Sequence, residues 1–225
     1  MIAGGAVMEL SGLWDAGGAA IVLCGTLLAT VLASGSRETL AASRAILSLF
    51  TRRFDYETAR AEIAHDVEAM RRDGVVRASP VASTDREIAS ATDALVRGRS
   101  LRNLVAVHEE FQQQRVRSRK AALAPIRHAA EMAPVFGMAG TLFALSQMTL
   151  AEGAEGQLPG AIGMAILTTL YGLLLAHLVL HPLARVLERR MLAEEADRER
   201  LIEWLAGQLS ESCPKASVHR LEKAG

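Results

Sequence analysis

The sequence predicts an all-α integral membrane protein with three transmembrane helices and long cytoplasmic helical extensions. Three observations carry that prediction. Apolar stretches near the ~20 residues needed to cross a bilayer fall at 17–34, 132–150 and 160–180. All 25 Lys and Arg lie in two blocks, 37–127 and 185–223. Both blocks have helical spacing, few breakers and interleaved acids.

Each element follows in order. Residues 17–34 read GGAAIVLCGTLLATVLAS, a short glycine-rich span. The stretch before it lacks the basic start and small-residue cleavage site of a secretory signal, so 17–34 is expected to stay as an anchor. Basic loops resist translocation. The Lys/Arg distribution therefore places 1–16 and 151–159 outside, and 37–127 and 185–225 inside. The outer pieces carry only Glu9, Asp15, Glu152 and Glu155. Residues 37–72 predict helix, Asp73-Gly74 a turn and Ser79-Pro80 the start of a polar loop. A second helix starts near Asp85, with Ile88, Leu95, Leu104, Val105 and Phe111 as its apolar positions, and Gly98 bends or interrupts it. The tail predicts a helix over 183–211 with Leu187, Met191, Leu201, Trp204 and Leu205 as a thin seam, ended by Pro214. Cys24, inside the first span, and Cys213, in the tail, are expected as free thiols.

The second and third spans form a hairpin with no Lys or Arg from His128 to Ala184. On the third span Ala161, Ala165, Thr168, Thr169, Gly172 and Ala176 share one small face. Ile166, Leu170, Leu174 and Leu178 form the opposite one. Small faces let helices approach closely in lipid. Gly137, Gly140 and Gly172 are therefore expected at helix contacts. Thr168 and Thr169, with Thr141 on the second span, either bond their own backbone or line a wet path, because a hydroxyl both donates and accepts. Pro134 and Pro182 lie where helices meet the membrane surface, as a kink or helix end or as a hinge. No Asp, Glu, Lys or Arg lies in the core of a span, and Glu131 sits at a boundary. If protons pass, a partner must supply the carboxylate. His177 and His181 share a face without further ligands nearby, which suits interfacial histidines better than a metal site.

The blocks APVFGMAGTLFAL and GMAILTTLYGLLLAHLVLHPLA resemble the last two transmembrane helices of the MotA/TolQ/ExbB proton-channel family. The resemblance is to flagellar stator A-subunits of the MotA or PomA type. IVLCGTLLATVLA is similar to that family's IVLGGTLGA helix, and MRRDGVV to its ARREGLL. The resemblance implies a channel domain at 128–185, flanked by a periplasmic segment at 1–16, a transmembrane helix at 17–34, a cytoplasmic helical region at 35–127 and a tail at 186–225. It implies a homopentamer around a dimeric, MotB-like B-subunit with a membrane Asp and a peptidoglycan-binding domain, in a bacterial inner membrane. It further implies functional prolines at Pro134 and Pro182, an ion-site hydroxyl at Thr169 with Thr141 as companion, and a contact with a FliG-like rotor protein at Arg71, beside Arg72. No cofactor is implied.

Three departures stand out. Stator subunits carry a helix before the IVLGGT helix. Here residues 1–16 read as the loop that would follow it, which implies either a shortened start or a three-span form. Ser79 replaces the rotor-facing acid expected eight residues after Arg71. His177 stands where that family has an asparagine. A TolQ/ExbB-like energiser of an outer-membrane process and a non-conducting scaffold are the rival readings. No phosphate loop, triad or metal cluster suggests an enzyme, and the interleaved charges argue against nucleic acid.

Overall fold

The computed structural model describes residues 15–51, 54–73, 83, 85–149 and 158–210. Those residues contain helices and no strand. Residues 1–14 of the expected outer segment 1–16, Gly74, Ser79, Pro80, residues 151–157 of the expected outer loop 151–159, Cys213 and Pro214 lie outside them.

Helix α1 spans Ala16–Ser48. The Asp15 carboxylate starts it, accepting the backbone N–H of Gly17 at 3.1 Å and of Gly18 at 3.0 Å. These are donors that the first turn leaves unsatisfied. The sequence ends the first span at Ser34, but the helix resumes at once beyond a kink at Gly35, whose φ of 78° and ψ of 161° only glycine adopts readily. The predicted helix over 37–72 is also interrupted. The Asp55 carboxylate accepts both the backbone N–H and the hydroxyl of Thr58, and α2 starts afresh as Tyr56–Asp73.

Helix α3, Arg86–Gly98, is capped by Asp85. Gly98 does more than bend the chain there. Arg99 turns left-handed at φ 49°, and α4 begins at Leu101 and runs to Thr149. Helix α5 covers Leu158–Leu174, a π-helical turn covers Leu175–Leu180, and α6 covers His181–Leu209. Among the described residues three helical runs are long and apolar enough to cross a membrane: Ala16–Ser48, Leu101–Gln147 and Gly160–Leu209.

Two units form. The first takes residues up to Phe50 together with Lys120–Glu188. Here α1 packs along α5, and the inward faces are small: Gly18, Val22, Thr26 and Thr30 of α1, and Ala165, Thr168, Gly172 and Ala176 of α5 with its π turn. Leu23, Leu27, Leu28 and Leu32 are exposed, as are Ile166, Leu170 and Leu178. Bulky apolar residues outside and small ones inside is the arrangement expected in lipid, where close backbone approach drives association.

The second unit takes Thr51–Arg119 and residues from Arg189 onward. Its core is an ordinary apolar one. Ile63, Met70, Ile88, Leu95, Leu104, Leu201, Leu205 and Leu209 are fully or almost fully buried in one cluster. The tail seam residues Leu201 and Leu205 are part of it, with Trp204 against its edge.

Candidate ion-pathway site

Helices α4 and α5 touch backbone to backbone. A Cβ on Gly172 would lie 2.6 Å from the Ala133 carbonyl oxygen and 3.1 Å from the Gly137 Cα. A Cβ on Gly137 would lie 3.0 Å from the Thr168 carbonyl oxygen. At Gly172 only hydrogen fits, and at Gly137 a methyl would need the facing backbone to give by a few tenths of an ångström. One turn along, Gly140 faces Thr168, whose Cβ would be 2.9 Å from an added methyl. Gly18 of α1 meets the same side chain from the other side, 2.5 Å from its Cγ2 by the same measure. Thr168 is thus wedged between glycines of α1 and α4 and fully buried.

The three hydroxyls singled out from the sequence therefore differ in surroundings. Thr168 Oγ1 donates to the Ala165 carbonyl at 2.9 Å, and Thr169 Oγ1 to the same oxygen at 3.3 Å. Thr141 Oγ1 donates to the Met138 carbonyl at 2.6 Å. Thr141 and Thr169 stay half-buried. A hydroxyl whose proton is committed to its own backbone still offers oxygen lone pairs, which suit a passing cation or a protonated carboxyl.

Sequence reasoning missed two hydroxyls. Thr26 and Thr30 are buried on α1. Thr30 Oγ1 donates to the Thr26 carbonyl at 2.7 Å, whereas Thr26 Oγ1 has no hydrogen-bond partner among the described residues. The four-residue spacing of Gly18, Val22, Thr26 and Thr30 was the available signal. Tyr171 on α5 also takes part, accepting the Asp15 backbone N–H at 3.0 Å.

The two prolines act differently. Pro134 lies inside α4, as does Pro125. Each lacks the N–H that would bond four residues back, yet the helix runs through. Pro182 does not end a helix. The π turn precedes it, with the His181 backbone N–H reaching back to the Ala176 carbonyl. That wider register relieves the clash a proline ring meets in a regular helix. His177 and His181 stack with centroids 5.2 Å apart, and His181 Nδ1–H donates to the Ala176 carbonyl at 2.8 Å. Among the described residues no cluster of three His, Cys, Asp or Glu could hold a metal.

In the second unit, Arg71 and Arg72 are exposed at the end of α2. Arg71 lies 3.8 Å from Glu68 and donates to Gln208 at 3.3 Å. A buried ionic network sits in the same unit. Glu87 accepts from His108 Nδ1–H at 2.6 Å, from Arg198 at 2.9 Å and from Arg115. Arg115 also bonds Glu195 at 2.8 Å, and Arg198 bonds Asp85 at 2.9 Å. Burial alone would push the Glu87 carboxyl up, but the His108 hydrogen bond and the two guanidiniums outweigh it and hold it below the usual range. Asp85 is likewise held low, by Arg198 against its burial. Arg198 also lies 4.1 Å over the Phe54 ring.

A sequence profile described as the MotA/TolQ/ExbB proton channel family matches residues 81–200. The chain belongs to that family. It is similar to motility protein A of Cereibacter sphaeroides, 27% identical over 215 residues, covering 91% of this chain and 85% of that protein. It is also similar to the uncharacterized protein YtxD of Bacillus subtilis (strain 168), 37% identical over 87 residues, or 39% of this chain and only 32% of YtxD. Motility protein A of Treponema phagedenis is 34% identical over 92 residues, 41% of this chain and 36% of that protein. Among solved structures, C. jejuni MotAB superposes with a TM-score of 0.80 at 16% identity, covering 97% of this chain and 88% of that one. The flagellar MotAB stator complex from Bacillus subtilis gives 0.77 at 22% identity, covering 96% and 90%. At such identities the likeness fixes the fold.

Proposed function

We infer that the chain is the ion-channel subunit of a proton- or sodium-driven flagellar stator, converting ion-motive force into torque. One observation carries the reading. The glycine-tight crossing of α4 and α5 sets half-buried hydroxyls at Thr141 and Thr169, while the spans hold no Asp, Glu, Lys or Arg to carry charge. Such a site works only beside a carboxylate from elsewhere. The stator fold and the match to a motility protein A along most of the chain support the same partner.

The partner is then a MotB-like B-subunit with one membrane Asp, and the assembly is five copies of this chain around two of that one, in the bacterial inner membrane. An ion that passes by way of the Asp from one side of the membrane to the other gains about 2.3 kcal/mol per 100 mV of membrane potential. Neutralising the Asp changes which surroundings suit it best. A five-fold ring around a two-fold core cannot match at every position, so each neutralisation favours a step. Thr169 and Thr141 meet the ion. Thr168, behind them, fixes their spacing through its packing on Gly18 and Gly140. Pro134 and Pro182 act as hinges, and Arg71 with Arg72 meets a FliG-like rotor protein.

The test is co-reconstitution of the full chain with the B-subunit in liposomes carrying an imposed potential. The reading expects ion uptake that disappears when the partner's Asp is replaced. Absence of uptake from a correctly assembled complex would refute it.

A further inference from the structure

His177 and His181 form a pair that the ion pathway does not use. Their spacing alone offers too few ligands for a metal site, and the structure adds what spacing lacks. Both side chains are exposed at the inner end of the third span. Their ring centroids lie 5.2 Å apart. Two imidazoles that ligate one tetrahedral ion through nitrogens at about 2.0–2.1 Å put their centroids about 5 Å apart. The pair therefore already stands at chelating separation.

The π-helical turn Leu175–Leu180 sets that separation. In an α-helix, positions four apart are offset by about 6 Å along the axis. A turn closed by i→i+5 bonds is wider and flatter, so it draws position 181 closer to position 177. The same turn fixes the tautomer of His181. The Ala176 carbonyl accepts the His181 backbone N–H and, at 2.8 Å, its Nδ1–H. A carbonyl can only accept, so Nδ1 carries the proton and Nε2 of the neutral ring keeps its lone pair. A ring N–H held by a backbone carbonyl is the outer contact that metal-ligating histidines almost always make. The two rings lie within 15° of parallel. Rotation of His177 about its Cβ–Cγ bond, a broad torsion, aims one of its nitrogens at the point that His181 Nε2 faces.

We propose that His177 and His181 bind a divalent transition-metal ion of the zinc or copper class, and that the bound ion clamps the π turn beside Pro182. Imidazole nitrogens select this class over magnesium and calcium, which take oxygen ligands. Water completes the coordination, since among the described residues no third His, Cys, Asp or Glu joins the pair. A site with only two protein ligands holds its ion reversibly, unlike the closed four-ligand sites of structural zinc. Pro182 follows His181 directly. A hinge there moves only if position 181 moves relative to position 177, and an ion bridging the two side chains prevents that. The binding half of the proposal rests on the helix alone. The clamp rests on the stator reading, in which Pro182 is a hinge.

Electron paramagnetic resonance of bound copper tests the site. The full chain, with Cys24→Ser and Cys213→Ser to remove competing thiols and without a polyhistidine tag, is purified in detergent and given an equimolar amount of copper(II). Its spectrum is expected to show a pair of equatorial imidazole nitrogens. His177→Gln or His181→Gln should each leave a single nitrogen and weaken binding by roughly 100-fold, the gain that a second ligand on the same scaffold supplies. His65→Gln, at an exposed position of α2, should change nothing. A single-nitrogen spectrum in the parent, or a paired spectrum that survives His177→Gln, would overturn the site. For the clamp, zinc is added to the inner face of liposomes carrying the complex with the B-subunit. Uptake by the parent should be lost, and uptake by His177→Gln with His181→Gln should persist. Equal uptake by the parent with and without zinc would overturn the clamp. Absence of uptake before zinc is added is instead a failure of the stator reading, and the copper spectrum then still decides the site.

Discussion

Gly172→Ala probes the contact on which the candidate site is built. The added Cβ would lie 2.6 Å from the Ala133 carbonyl oxygen, where about 3.3 Å is already a close carbon–oxygen approach. The helices must therefore part by roughly 0.7 Å. Rotamer changes cannot relieve the clash, because the neighbours are backbone atoms of Ala133 and Gly137. A gap of ~0.5–1 Å forfeits a quarter to a half of each dispersion contact across it, and overpacking of this kind costs about 1–3 kcal/mol. Alanine returns about 1 kcal/mol of helix propensity, leaving a net loss of up to about 2 kcal/mol. Gly163→Ala is the control, since a Cβ there meets nothing within 4 Å and only the propensity gain applies. The assay is thermal unfolding of the full chain in detergent, followed by far-ultraviolet circular dichroism, with ion uptake of the reconstituted complex alongside. Gly172→Ala should melt below the parent and Gly163→Ala at or above it. If both variants melted alike, α4 and α5 would not be in backbone contact and the reasoning would fail.

Three further outcomes follow from the same geometry. Thr169→Ile should reduce ion uptake in the reconstituted complex to that of empty liposomes while the assembly still elutes intact; normal uptake would remove Thr169 from the pathway. Arg71→Glu should leave uptake unchanged but weaken swimming of complemented cells, and unaltered swimming would dismiss the rotor contact. For the Glu87 network, a carboxyl held below its unfolded pKa stabilises the fold above about pH 4.3, and that stabilisation is lost as pH falls through the lower, folded value. Glu87→Gln should cost about 1.5–3 kcal/mol near neutral pH, because His108, Arg115 and Arg198 lose their shared carboxylate while Arg115 keeps Glu195 and Arg198 keeps Asp85. It should also flatten the acid dependence of amide exchange in α3, and a variant as acid-sensitive as the parent would contradict this.

Much of the hairpin was legible from spacing alone. Ala165, Thr168, Gly172 and Ala176 are buried and Ile166, Leu170 and Leu178 exposed, as a helical wheel of the third span requires. Leu187, Leu201 and Leu205 of the tail seam are buried as well. The breaks were harder to see. Gly35 resembles any other glycine of a glycine-rich span until its backbone angles are known. The stop before Asp55 depends on a cap contact with Thr58 that composition does not announce. Arg198 meets Glu87 across 111 positions of chain, which no local pattern encodes. Thr26 and Thr30 were overlooked because a hydroxyl in an apolar span reads the same whether it is buried or faces lipid.

Hydropathy and charge alone determined that the chain is a helical membrane protein with three candidate spans among the described residues and a small-residue face on the last of them, because lipid penalises unpaired polar groups and basic loops wherever they occur. Tertiary structure alone decided that Thr168 is wedged between glycines while Thr169 and Thr141 keep open sides. It also decided that the helix turns at Gly35 and that Glu87 gathers His108, Arg115 and Arg198. Those outcomes depend on which backbones come within a few ångströms of each other, and periodicity along a single helix carries no distance to its neighbours.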